Sequence, residues 1–346
     1  MSVSSVGRPN NSNKCYLLSL PNELLHLISN HLGAKEVTRM ITTCRCLFAV
    51  LDTYLYRRIA VIPTTGYNND LTRCVLKASE GNKPDILSKL LALGANFGLY
   101  KGYYSGYHYH GYTSYPLRRA AELGHVSIVE LLISGGMPIN LGEGEYCGAS
   151  ALMGAIRQNQ IEVIRLLISH RANLVPYGPY RHNLPLAIAA SHGFKDAVEL
   201  LLHKLKAGDY PSKTIRSHCR EAFYISLCHG YFEILKFLLD GGLDPNFARG
   251  HSSMLYHAVN RSRGPIVELL LKHGATARDN DPLLMMACRN KSFDVAEILL
   301  KAKLSRKYLK WELEWAIHMA ETADRADVAK LVRQLLRRQS RMKNQK

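Results

Sequence analysis

Five stretches of the chain can be laid over one another: SYPLRRAAELGHVSIVELLISGG from Ser114, ASALMGAIRQNQIEVIRLLISHRA from Ala149, NLPLAIAASHGFKDAVELLL from Asn183, EAFYISLCHGYFEILKFLLDGG from Glu221 and SMLYHAVNRSRGPIVELLLKHGA from Ser253. One template runs through them. An apolar residue is followed three positions later by Ala or Ser, then by an apolar pair and a double leucine-like step. The small residue recurs at Ala78, Ala120, Ala155, Ala189, Ser226, Ala258, Ala287 and Ala320, mostly at steps near a period of roughly 33 residues. In Ile128, Val129, Leu131 and Leu132 the apolar residues fall at helical spacing, and the small Ala120 lets a neighbouring helix come close. Such a helix pair cannot bury both of its faces alone, so a stack of pairs must complete the core. With 47% hydrophobic and 21% charged residues the chain has enough apolar side chains to build that core.

Glycines after the second helix of a unit, as in Gly94-Ala95, Gly136 and Gly274-Ala275, are suited to left-handed helix ends. Tyr115-Pro116-Leu117 and Gly124-His125 keep pieces of the pattern T-P-L-H-x-A and G-H. On these motifs the segment 71–340 resembles an ankyrin-repeat array of about seven to eight repeats. It departs from the pattern at the first-helix His, replaced at Arg118, Met153, Ala187, Tyr224, Tyr256 and Met285 and kept at His318. The resemblance implies a helical solenoid whose concave face binds a target protein.

The longest interval, Ala78 to Ala120, holds the Tyr/Gly-rich insertion 97–115, with YKGYYSGYHYHGYTSY from Tyr100. In ankyrin arrays this connection forms finger loops beside the concave face. Shorter material recurs in the same slot, at Glu145-Tyr146-Cys147-Gly148 and Tyr177-Gly178-Pro179-Tyr180, so ordered fingers are expected. Tyrosine combines a large contact area with a polar tip and few rotatable bonds. The candidate target-binding residues are therefore Tyr103, Tyr104, Tyr107, Tyr109 and Tyr112, followed by Tyr146, Tyr177 and Tyr180. His108 and His110 flank Tyr109 at a spacing that could seat a metal, but no further ligand stands nearby, so no metal is expected.

Ahead of the array, residues 1–16 are Ser/Asn-rich and expected to be flexible, and residues 17–61 carry three helical patterns. Pro21 starts the first, Leu24, Leu25, Ile28 and Leu32 follow at helical spacing, and Gly33 stops it. Val37, Met40, Ile41, Cys44 and Phe48 suggest a second helix, and Leu51 to Ile59 a third. Leu20-Pro21 with Glu23, Leu24, Ile28 and Leu32, then Cys44-Arg45, Phe48 and Leu55-Tyr56-Arg57, resemble the F-box in order. That resemblance implies docking onto the Skp adaptor of a cullin-RING (SCF-type) ubiquitin ligase, with Leu20, Pro21, Leu24, Leu25, Ile28 and Leu32 contributing to the adaptor-facing surface. An N-terminal F-box followed by ankyrin repeats is similar to an architecture common in filamentous fungi. The expected fold is thus all-α: a small three-helix F-box module followed by an ankyrin-repeat solenoid.

The formal net charge of +17 favours an acidic target over a basic one. Eight scattered cysteines without a CxxC pair, and no signal-peptide pattern, point to a reducing cytoplasmic or nuclear setting. Gly142, Gly144 and Gly148 spell GxGxxxG but lack the βαβ context of a dinucleotide loop, so no cofactor is expected. No catalytic constellation stands out, and no enzymatic activity is expected. Trp311 and Trp315, four residues apart, are expected to seal the last repeat beneath an amphipathic segment 328–336, with 337–346 as a basic tail. The functional expectation is a substrate-receptor subunit of an SCF-type ligase. The alternative is a free-standing ankyrin scaffold that binds nucleic acid or an acidic nuclear protein.

Overall fold

A helix that starts a repeat needs room for the equivalent helix of the next repeat, and the small residues supply it. A computed structural model of the protein describes residues 20–32, 56–57, 60, 70–97, 116–140, 150–175, 184–249, 252–278, 281–302 and 309–344. The chain divides into two compact units, Met1–Leu141 and Gly142–Lys346. The first contains α1 (Asn22–His31), α2 (Asp70–Glu80), α3 (Pro84–Ala92), α4 (Pro116–Leu123) and α5 (Val126–Ser134). In it α2 packs on α4 and α3 on α5, while each repeat's own pair, α2 with α3 and α4 with α5, also packs together. Ala78 and Ala120, at the centre of that arrangement, are 2% and 0% exposed.

The second unit repeats the scheme. Its first helices are α6 (Ala151–Arg157), α8 (Pro185–Ser191), α10 (Ser212–His229), α12 (Met254–Asn260), α14 (Leu283–Arg289) and α16 (Lys310–Thr322). Its second helices are α7 (Ile161–Ser169), α9 (Lys195–Ala207), α11 (Phe232–Asp240), α13 (Gly264–Lys272), α15 (Phe293–Lys301) and α17 (Ala326–Asn344). First helices pack in series from α6 to α16 and second helices in series from α7 to α17. Ala155, Ala189, Ser226, Ala258, Ala287 and Ala320 are all 0% exposed, so the small-residue row of the sequence is fully buried between packed helices. A short antiparallel hairpin, β1 (Ala248–Arg249) with β2 (Ser252–Ser253), precedes α12.

Turns between helices use left-handed residues. Gly94, Gly136, Gly242 and Gly274 take φ between 80° and 88° after second helices. Gly193 shows why glycine is needed: its φ is +76°, and a Cβ there would lie 2.7 Å from the Tyr231 ring of the next repeat. Asn82, Asn159, Ser262, Lys291 and Asp324 take equivalent turns with φ between 49° and 58°, a conformation less favourable for side chains other than Asn and Asp.

Neighbouring repeats are also joined by polar side chains. Asn246 donates to the Gly274 carbonyl at 3.0 Å and accepts from the Thr276 amide at 2.8 Å. The Ser253 hydroxyl caps α12 by accepting from the Tyr256 amide at 3.0 Å, and it donates to the buried Asp281 carboxylate. Asn290 donates to the Asn260 carbonyl at 3.0 Å. At the C-terminal end Arg325 reaches Asp294 at 3.1 Å and Asp327 at 2.9 Å, tying the turn before α17 to α15.

The end of the stack differs from the expectation for Trp311, whereas Trp315 is half-buried. Trp311 is 54% exposed, and the buried apolar residues are Leu313, Ala316 and Ala320 with Val328, Ala329 and Val332 of α17. The reason is register: at about 100° per residue, position 311 stands opposite Ala320, whose place in the small-residue row fixes the buried face. The segment read as a basic tail is helical as far as Asn344. The second and third helices expected between Val37 and Ile59 lie outside the described residues, except that Tyr56 and Arg57 are helical. The expected flexible segment 1–16 also lies outside them, as does nearly all of the insertion 97–115, where Phe97 is described and buried.

Ala258→Leu should overpack the approach of α12 to its neighbours and lower stability by roughly 1–3 kcal/mol. Trp311→Ala should change it by less than about 0.5 kcal/mol. Urea unfolding of both variants checks the assignment, and equal losses would contradict it.

Candidate functional site

The eight tyrosines expected to bind a target, Tyr103, Tyr104, Tyr107, Tyr109, Tyr112, Tyr146, Tyr177 and Tyr180, lie outside the described residues, as do His108 and His110. The N-terminal candidates are described. The Pro21 carbonyl accepts from the amides of Leu24 at 3.0 Å and Leu25 at 3.2 Å, which starts α1. On that helix Leu24 and Leu27 are 44% and 53% exposed, whereas Leu25 is 3% exposed. Leu20, Ile28 and Leu32 are half-buried and Pro21 is exposed. Leu25 thus anchors the helix while Leu24 and Leu27, three apart, share an outward side. Leu27 was not singled out from the sequence, although its i+3 relation to Leu24 was a sufficient signal.

Tyr56, from the segment that resembles the end of an F-box, is held in the first unit. The Lys89 ammonium of α3 sits 4.9 Å from the centre of its ring. Burial, with a smaller contribution from the Cys74 thiol, pushes the Tyr56 hydroxyl pKa up. The phenol therefore stays protonated at neutral pH.

The first-helix positions that depart from the repeat pattern take several local roles. Arg118 pairs with Glu122 at 2.7 Å, and Met153 and Ala187 are buried. Tyr224 and Tyr256 each make a T-shaped contact with the His257 ring, at centroid distances of 5.2 and 5.7 Å. Histidines at the turn after the first helix lie within hydrogen-bond distance of backbone carbonyls. His125 lies 2.9 Å from the Ser79 carbonyl in the preceding repeat, and His192 lies 2.9 Å from that of Ile188. His229 similarly lies 3.0 Å from the Ile225 carbonyl.

Burial pushes the Cys219 thiol up, and it pushes Cys288 up to about 11, so neither is a thiolate at neutral pH. Among the described residues no three His, Cys, Asp or Glu side chains gather as metal ligands, and no helix is long and apolar enough to cross a membrane.

His218 on α10 is 5% exposed, and its Nδ1 has no hydrogen-bond partner among the described residues. Burial lowers its pKa from the ordinary 6.5, so the folded protein keeps the ring neutral where the unfolded chain protonates it. Stability should therefore fall as pH drops below about 6.5, down to the folded-state pKa. Melting temperatures at pH 7.5 and 5.5 should differ less for His218→Gln than for the wild type. An unchanged pH dependence would remove this residue from the account.

The family model described as ankyrin repeats (3 copies) matches residues 75–177, 117–214 and 223–308. The chain is 25% identical over 216 residues to the ankyrin repeat and KH domain-containing protein mask-1 of Caenorhabditis elegans, covering 54% of this chain and 8% of that protein. It is 38% identical over 87 residues to the probable E3 ubiquitin-protein ligase XBOS33 of Oryza sativa subsp. japonica, covering 25% of this chain and 16% of that protein. The match spans less than a fifth of the length of either relative. Among solved structures, the human ASB11 ankyrin repeat domain aligns with a TM-score of 0.48 at 19% identity, over 67% of this chain and 99% of that one.

Proposed function

The chain belongs to the ankyrin-repeat family, a protein–protein interaction module, and on that premise we propose that it serves as a substrate-receptor subunit of an SCF-type ubiquitin ligase. The observation that carries this reading is α1. Leu24 and Leu27 are large apolar side chains at 44% and 53% exposure, on a helix that Leu25 anchors, within the segment that resembles an F-box. An outward leucine pair on an anchored helix offers a partner apolar area with little rearrangement. In this reading the Skp adaptor covers Leu24 and Leu27, with Leu20, Pro21, Ile28 and Leu32 around them. The ligase named in the XBOS33 relative supports the link from another direction.

The chain contributes position, not chemistry. Holding a target on the repeat array near a ubiquitin-loaded enzyme carried by other subunits raises the target's effective concentration there. The tyrosines of the insertion and of the two shorter connections remain the proposed anchors for that target.

Purified protein should retain the Skp adaptor in a pull-down, and Leu24→Ala/Leu27→Ala should lose it at least tenfold while melting within a few degrees of the wild type, because both side chains are already exposed. Failure of the wild type to bind the adaptor overturns the ligase assignment and leaves an ankyrin scaffold with other partners.

A further inference from the structure

In α4, α6, α8, α12 and α14 the small residue of the repeat is the fifth residue of the helix, but in α10 Ser226 is the fifteenth. Helix α10 therefore carries ten extra residues at its N-terminal end, Ser212–Glu221, about 15 Å of additional helix. The connection that precedes it is correspondingly short. Four residues join α9 to α10, against thirteen between α11 and α12, where the hairpin forms.

The extra turns carry a row of cations. Lys213, Arg216 and Arg220 are exposed and follow one another at i, i+3 and i+7, so they project from one side of the helix. Tyr224 continues the row four residues on, half-buried and in T-shaped contact with His257. The Arg220 guanidinium lies 5.4 Å from the centre of the Phe247 ring at the base of the hairpin, which fixes its position. Among the described residues none of the three cations pairs with a carboxylate. Five Lys or Arg residues stand between 203 and 220 against one acid, Asp209, with Glu221 next in sequence.

This arrangement is electrostatically unfavourable in the isolated chain. Like charges at i, i+3 and i, i+4 repel, and cations at a helix N-terminus oppose the helix dipole, here with no acid in the first turn. A partner that brings negative charge to this side relieves both terms. The row is about 10 Å long. Alternate side chains of an extended peptide lie about 7 Å apart on one side, a comparable spacing for carboxylates. Nucleic acid fits less well, because the Tyr224 ring is half-buried and engaged by His257, and so is not a free stacking platform.

We propose that the extended α10 is a docking site for an acidic peptide segment, held by Lys213, Arg216 and Arg220. The proposal rests on the interaction-module reading and is independent of adaptor docking through α1.

The test is fluorescence anisotropy of the full chain with a labelled twelve-residue oligoglutamate and, separately, with a twelve-nucleotide single strand, at about 50 and 150 mM salt. Lys213→Gln/Arg216→Gln/Arg220→Gln removes the row with helix-forming residues, and Lys83→Gln/Lys272→Gln/Lys330→Gln is a control of equal net charge at exposed positions. The row variant should weaken peptide binding by about tenfold or more, and the control by less than about threefold. Equal loss in both variants, no peptide binding by the wild type at the lower salt, or tighter binding of the oligonucleotide through the same three residues would overturn the proposal. The row variant should still retain the adaptor. A wild type that retains the adaptor but binds no peptide marks failure of this site alone, whereas one that binds the peptide through the row but not the adaptor marks failure of the ligase reading alone.

Discussion

Within each unit, the separation of one first helix from the next is set by a side chain no larger than a methyl or hydroxymethyl group. Ala120, Ala155, Ala189, Ser226, Ala258, Ala287 and Ala320 are completely covered, and the larger apolar residues of the second helices, such as Ile128, Ile164, Leu201 and Leu235, fill the space beside them. A core built in this way depends on neighbours: each pair buries its faces against adjoining pairs, so stability is distributed along a unit. The polar links from Asn246, Ser253 and Asn290 then fix the angle and register of repeats that apolar packing has brought together.

Much of this was legible because a repeated pattern averages out local ambiguity. The small-residue row and the glycine helix ends follow from periodicity and chain geometry. Trp311 shows the limit of reading a pair in isolation. Its i, i+4 relation to Trp315 says only that the two lie about 40° apart around the helix; the register of Ala320 leaves Trp311 exposed and Trp315 half-buried. Non-glycine turns were not anticipated either, since nothing local in Ser262 or Lys291 marks a positive φ, and only alignment with Gly193 and Gly230 reveals it.

The candidate sites were less legible for a different reason. Resemblance to an F-box selects residues, but exposure separates those that face outward from those that hold the helix: Leu25, within the selected set, is buried, and Leu27, outside it, is exposed. The helical extension of α10 was hidden because Ser212–Glu221 has few apolar residues and therefore no strong period of its own. Its trace in the sequence was the absence of glycine and the missing long connection between Gly208 and Ser226.

The four-residue connection before α10 also alters the mechanics of recognition. Before α8 and before α12 the chain uses connections of fifteen and thirteen residues, whereas between them it presents a rod. A loop can adjust to a partner but must surrender conformational freedom to do so; a helix has already surrendered it during folding. A protein lying along this edge would meet a fixed post between two longer connections, and the post would define the alignment that everything around it must follow.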